Sequence, residues 1–484
     1  MLDIIVNENE LSFNSLEKEI FSAACEMACK VLTCILEEMD NKLAQERDKS
    51  KYRHKGKRQT TIKTLMGEVT FSRTIYEHID DEGRKTFVYL LDKEMGFDTI
   101  GLISTNLAEK VVENVSITSF RNTAKNISEL TGQGISHGGV WNVVQALGEK
   151  LKKDEDNHVK ALERNQLCGE KQVPILFEEA DGVWINMQGK DRPKSGKKLE
   201  MKVAVTYEGW KEVSRNRFEL VNKMACAGFE NTATFYKKKE AMISREYNTD
   251  EIEMRILNGD GASWIQHGVD DTVYYQLDPF HKYQAILRNV KDIEERKNII
   301  QLIKENKIED TLIYLNALAT DEEDEKKRKK LRELHTYFKE NSHGLIPYQE
   351  RGLDIPTAPD GLVYRTLGTM EHHICDMIAQ RMKNCKGSWS IKGGGNLAKL
   401  LVAKTCRRLH QLIENYSKIV LPEDKTREII QVLSASNAPK VDGKGKDGNI
   451  HKGNIPFTEC AVTNGRRSIR SMLSMKSFSD LIYR

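Results

Sequence analysis

The sequence predicts an α+β multidomain chain. Helical and hairpin segments come first, then a mixed sheet in the order β-β-β-α-β-α-β-α, interrupted by a charged helical insertion. Three observations predict this. Apolar residues recur at helical spacing over 9–48 and 103–164. Three β-rich runs follow at 173–188, 198–210 and 214–229. Beyond them helical and strand patterns alternate as far as residue 281. At 484 residues the chain is long enough for several cores, since domains usually run about 100–200 residues.

Residues 1–50 hold a long amphipathic helix striped by Leu16, Ile20, Ala24, Val31, Ile35, Met39 and Leu43. That stripe packs on a neighbouring domain or on a second chain, as a dimerisation helix. The next segment, 51–100, begins in the run "RDKSKYRHKGKRQT", where Lys49, Lys51, Arg53, Lys55, Lys57 and Arg58 alternate with Tyr52 and His54. It reads as a basic loop, either simply solvated or in contact with DNA phosphates, ahead of a β-hairpin turning at Met66 and Gly67.

Residues 101–170 give an apolar helix (Phe120, Ala124, Ile127, Leu130), the turn "TGQGIS" and a second helix capped by Ser136. This is helix-turn-helix spacing, and it places Ser136, His137 and Trp141 at the end of the helix that would enter a major groove. Ordinary helical hairpins share the pattern.

The first part of the core occupies 171–289: three strands, a helix over "ENTATFYKKKEAMISREYNT", a strand "EMRILNGDG", a short helix "ASWIQHG" and a strand "TVYYQLDPFH". Three antiparallel strands followed by βα units is the order of the ribonuclease H fold. Residues 290–363 read as a solvated charged helical insertion, and 364–420 as a core helix with a following helix. The remainder, 421–484, reads as a basic, glycine-rich tail extended along DNA.

Bulk charge is uninformative: 75 Lys and Arg face 72 Asp and Glu, a net of +3. The clustering of the bases carries the signal instead. Nine cysteines without a CxxC pair read as small buried residues of a reducing compartment, with zinc at Cys25 and Cys29 the lesser reading. No apolar run approaches the length of a membrane span, and the acidic start lacks a signal peptide's basic segment, so a cytoplasmic protein is expected.

Asp181 in "EEADGVWI" ends the first core strand, and Asp260 in "NGDGA" ends the fourth. In a ribonuclease H-like sheet those strands are neighbours, so the two acids converge. Glu371 supplies a third acid, opening a helix with Ile374, Ile378 and Met382 along one side. Two aspartates and a glutamate suit two Mg2+ ions, with Mn2+ as substitute, and a pair of ions about 4 Å apart activates the attacking oxygen and stabilises the leaving one in phosphodiester chemistry.

Other residues carry paired readings. His281 either orients a phosphate or the metal site, or is structural. Asp278 is a rival third ligand or a turn former. Trp389 stacks on an unpaired base or packs in the core. Arg381 and Lys383 meet phosphates or form a solvated face.

The motifs "ADGVWI", "LNGDGASWI", "YQLDPFH" and "GTMEHHICDMIAQRMKNCKGSWSIKGGGNLAKL", taken in order, resemble the Lre-type family of bacterial insertion-sequence transposases. That family is similar in turn to the Mutator-like superfamily of DDE transposases. The resemblance covers nearly the whole chain, including "RDKSKYRHKGKRQTTIKTLMGEVTFSRTIY". It implies Asp181, Asp260 and Glu371 as the DDE triad, with Asp181 bridging both metals. It also implies hydrolysis at the transposon end followed by attack of the freed 3′ hydroxyl on target DNA, in a homodimer or higher oligomer. The residues around Glu371, with His372 and His373 beside it, follow the family only loosely. Two rival readings remain: a DNA-binding regulator or domesticated derivative without strand transfer, and a ribonuclease H-like nuclease that cuts without joining.

Overall fold

A computed structural model describes residues 12–79, 83–97, 103–266, 272–384 and 387–416. The tail and the end of the "ASWIQHG" segment lie outside the described residues. Helix α1 (Phe13–Glu46) starts at a capping box made by Ser12 and Ser15. It lies on a three-stranded antiparallel sheet of β1 (Tyr52–Thr64), β2 (Gly67–Ile79) and β3 (Lys85–Tyr89), in that order. The buried Asp40 of α1 fixes the contact, accepting from Thr74 N at 3.0 Å and from Thr74 Oγ1 at 2.6 Å. The basic run forms most of β1 and is not a loop before the hairpin. Its strand pairing with β2 continues past a bulge between His54 and Lys57.

After α2 (Leu90–Met95) come α3 (Thr105–Val115), α4 (Phe120–Leu130) and α5 (His137–Glu163). Ser104, Ser119 and Ser136 cap the last three, each accepting a backbone N–H from the first turn.

The central sheet contains β4 (Ile175–Asn186), β5 (Lys198–Tyr207), β8 (Met224–Gly228), β9 (Met254–Gly259) and β10 (Val273–Leu277). Its order is β10-β9-β4-β5-β8. Strands β9 and β10 run parallel to β4, whereas β5 is antiparallel to both β4 and β8. The third expected strand is split. Asn216 and Asn222 adopt positive φ of 60° and 50°, so the chain makes a side hairpin of β6 (Trp210–Ser214) and β7 (Arg217–Leu220) before β8 begins.

Helix α6 (Thr232–Glu246) links β8 to β9, and α7 (Ser263–Gln266) precedes β10. The "DPFH" end of the expected last strand instead starts α8 (Pro279–Asn289), because Asp278 is an N-cap and Pro279 stands at N1. Helices α9 (Ile293–Lys304), α10 (Ile308–Asp321) and α11 (Glu325–Glu340) make the insertion. It is not simply solvated: Ile299, Ile303, Leu315, Leu334 and Phe338 share a core with Leu257, Leu277 and Ile286 on one side of the sheet. Each such side chain, fully buried, stabilises by about 1.5–3 kcal/mol.

The opposite side of the sheet presents Ile175, Phe177, Val183 and Ile185 to the helices that follow. These are α12 (Met370–Ile374), a π-helical turn at Cys375–Ala379, α13 (Gln380–Met382), α14 (Ile391–Thr405) and α15 (Leu409–Tyr416). Helix α5 packs on α14 so closely that a Cβ on Gly148 would lie 2.4 Å from Asn396 Cβ. All described residues fall in one compact unit, Met1–Val420. No helix among them is long and apolar enough to cross a membrane. The seven described cysteines are free thiols, and Cys34, Cys168 and Cys375 are exposed, against the expectation of uniform burial.

Candidate active site

Parallel register sets the acids side by side. Ala180 of β4 pairs with Gly259 of β9, and Gly259 pairs with Leu277 of β10. The next residues in line are Asp181, Asp260 and Asp278, on adjacent strands spaced about 4.8 Å apart. Asp181 lies inside β4, at the point where its pairing with β9 stops, rather than at the strand's end.

Helix α12 brings the third acid to the same side of the sheet. Ile374, Ile378 and Met382 are buried beneath the helix and Glu371 is exposed at its start. Carboxylate oxygens of Asp181 and Glu371 and a ring nitrogen of His281 lie within 4.8 Å of one another. His281 Nε2 is 3.5 Å from Asp181 Oδ2, and that contact, with the charges of Asp181, Asp260 and Asp278, raises the His281 pKa against the opposing effect of burial.

Of the expected triad, Asp181 and Glu371 share this cluster, with His281 beside them. Asp260 is the register neighbour of Asp181 but stands outside this donor cluster. Gly261, at φ +90°, turns the chain so that Asp260 Oδ1 accepts the Ala262 N–H at 2.8 Å. Burial raises the Asp260 pKa and the nearby Asp181 charge adds to it, with the Ala262 N–H opposing. Asp260 is thus both the turn former and the electrostatic partner of Asp181.

Asp278 is not a free ligand. Its Oδ1 accepts from Phe280 N at 2.9 Å and His281 N at 3.3 Å, and its Oδ2 from Asn258 Nδ2 at 2.6 Å. It is the cap that holds the turn bearing His281. Trp389 is 6% exposed, packs against Phe120, and donates its indole N–H to Met382 O at 3.0 Å, so it has no face for a base. Arg381 also serves packing. Its guanidinium donates to the Val115 carbonyl at the end of α3 and lies over Phe120 and Trp389. Lys383 is exposed.

The profile of an uncharacterised protein family, UPF0236, matches residues 6–412. The chain belongs to this family. A UPF0236 protein of Caldanaerobacter subterraneus subsp. tengcongensis, whose name joins eleven locus labels, is 25% identical over 400 residues, covering 82% of this chain and 78% of its own. Another UPF0236 protein, from the vanSb 3′ region of Streptococcus gallolyticus, is 25% identical over 406 residues, covering 81% and 82%. Among solved structures, a pre-cleavage Mos1 transpososome aligns over 50% of this chain and 79% of its own at 9% identity, with a TM-score of 0.12 that is too low to bear on the fold.

The expected DNA-contact residues of this UPF0236 chain divide into two groups. Lys51, in the turn before β1, and Arg53 and Arg58 on it are exposed. Lys55 pairs with Glu77 at 2.8 Å, Lys57 donates to Asn41 at 2.8 Å, and Tyr52 stacks on His78. On α5, His137 is exposed, while the Ser136 hydroxyl caps the helix through Gly139 N and Trp141 packs on Phe120 and Gly393. Further along, one side of α5 is held against α6 and α14.

Sequence reasoning missed Glu179, Asn258 and Tyr337. Glu179 is fully buried beneath the start of α12, and burial raises its pKa while donors from Thr369, Tyr207 and Asn258 oppose the rise. Tyr337, from the insertion, donates to the Asp260 carbonyl at 2.7 Å. One signal could have found Glu179: acids at 178 and 179 in an otherwise apolar strand need partners.

Proposed function

We propose that this UPF0236 protein is a DDE-type DNA transposase, with a ribonuclease H-like core that cleaves transposon ends and joins them to target DNA. The observation that carries the reading is the register of Asp181 beside Asp260, with Glu371 brought to Asp181 from a helix on the same side of the sheet. The strand order β10-β9-β4-β5-β8, with one antiparallel half and one parallel half, supports the fold assignment. The exposed bases of β1 suit phosphate contact. Eleven locus labels under one name in a relative's genome fit a sequence that is copied from place to place.

Two carboxylates and an imidazole within 4.8 Å form an anionic donor set that fits a divalent cation, and the nitrogen favours Mn2+ as an alternative to Mg2+. Asp181 and Glu371 would hold it, with Asp260 available to a second ion. Divalent ions bound there supply activation of the attacking oxygen and stabilisation of the leaving one. The chain's own residues do the rest. His281 orients the Asp181 carboxylate, Asp278 fixes the turn that carries His281, and the Gly261 turn leaves Asp260 at the strand mouth. Reaction at two element ends calls for at least two subunits.

The test uses purified protein, duplexes carrying its own element's ends and Mg2+. The expected result is end cleavage and joining of the 3′ end to a second duplex. Asp181→Asn is expected to lower both by roughly 10²–10³-fold while retaining end binding in a gel shift. Cleavage by Asp181→Asn at the unmutated rate contradicts the proposal, and cleavage without joining favours a nuclease.

A further inference from the structure

We infer that Glu179 is a positioning residue for the third acid, and that it ties Glu371 and His281 to the sheet through one buried network. This rests on the metal-site reading above. The Glu179 side chain is surrounded by donors. Its Oε2 accepts the backbone N–H groups of Gly368, Thr369 and Met370 at 3.2, 2.9 and 3.1 Å. Its Oε1 accepts the Tyr207 hydroxyl at 2.6 Å and the Thr369 hydroxyl.

The Thr369 and Met370 N–H groups are free donors at the start of the helix that carries Glu371, and the Gly368 N–H lies one residue before them. A helix start leaves such donors without intrahelical partners, and a carboxylate there is favoured by both hydrogen bonding and the helix dipole. Thr369, the residue before the helix, makes no side-chain cap of its own to the first turn. The cap comes instead from a strand residue 190 positions earlier in the chain. Glu179 is two residues before Asp181 on β4, so both point to the same side of the sheet. The distance between Asp181 and Glu371 is therefore set by one strand and one cap.

The network continues sideways. Asn258 Nδ2 donates to Glu179 Oε2 at 3.1 Å and to Asp278 Oδ2 at 2.6 Å. Asp278 caps the turn bearing His281. Glu179 thus connects β4, β5, β9, the start of α8 and the start of α12. An amide at 179 keeps the shape but has one acceptor fewer and turns an N–H2 toward donors, which displaces the helix start.

The test measures Mn2+ binding to DNA-free full-length protein by the electron paramagnetic resonance of free Mn2+, beside a thermal melt of each variant. Glu179→Gln is expected to weaken Mn2+ binding by about 10–100-fold, the usual effect of removing a group that orients a metal ligand. Thr369→Ala, which removes one donor and leaves the buried carboxylate, keeps the test open should Glu179→Gln fail to fold, and is expected to weaken binding several-fold. A lower melting temperature with unmutated Mn2+ affinity in the folded variants overturns the inference, because Glu179 is then structural alone. Failure of the underlying reading looks different: the unmutated protein binds no Mn2+, or Asp181→Asn binds it as well as the unmutated protein does.

Discussion

Two adjacent acids in β4 meet opposite surroundings. Glu178 faces α6 and the neighbouring strand, where Lys239 Nζ and Arg255 Nε each lie 2.6 Å from its oxygens, while Glu179 faces the site. Burial alone would raise the Glu178 pKa, but the Arg255 and Lys239 charges hold it down at about 2. A carboxyl lowered from its ordinary 4.5 contributes stability above that value, and the contribution is lost as pH falls toward 2. Glu178→Gln leaves the buried Lys239 and the partly buried Arg255 with Glu240 as their remaining carboxylate and is expected to destabilise by about 1–3 kcal/mol at neutral pH. Melting temperatures between pH 2 and 7 check this, and the variant's curve is expected to be flatter on its acid side. An unchanged curve contradicts the pairing. The adjacency of Asp181 and Asp260 was legible in the sequence because each stands beside a glycine near the end of a β-rich run. The role of Glu179 was not legible, because its donors come from residues 207, 258 and 368–370.

Element by element, periodicity served well where one side of a helix is buried. The spacing of Ile374, Ile378 and Met382 identified the side of the Glu371 helix that packs on the sheet. It did not reveal the π-helical turn at Cys375–Ala379, since one wide turn barely disturbs so short a pattern. In β1 the lysines and arginines hid a strand, because a strand open on one side needs no apolar residue there. Asp278 and Pro279 announced a helix start that the strand reading of "YQLDPFH" overrode. The packing of α5 on α14 depends on a single absent methyl. Gly148→Ala places a Cβ 2.4 Å from Asn396 Cβ and is expected to cost about 1–3 kcal/mol, measured by urea denaturation. Unmutated stability in that variant shows that the two helices do not meet so closely.

Across the whole molecule, the order of segments was legible and their interdependence was not. The charged insertion reads as a solvated appendage, yet its apolar side completes a core and its Tyr337 reaches the Asp260 carbonyl. The N-terminal sheet, with exposed Lys51, Arg53 and Arg58, is the expected DNA-binding surface. Replacing these three by alanine is expected to lower the slope of log affinity against log salt by about 0.9 for each phosphate that the strand no longer neutralises, measured by fluorescence anisotropy with element-end duplex. Mn2+ affinity is expected to be untouched, which separates DNA binding from the metal site. An unchanged salt slope removes β1 from the interface. The proposed chemistry requires that acids from a strand and a helix gather a divalent ion at the sheet's edge. Anomalous X-ray diffraction from crystals grown with Mn2+ reads this most directly. The expected result is a peak in coordinating contact with the carboxylates of Asp181 and Glu371, absent in Asp181→Asn; no peak there, or one that survives the substitution, contradicts it.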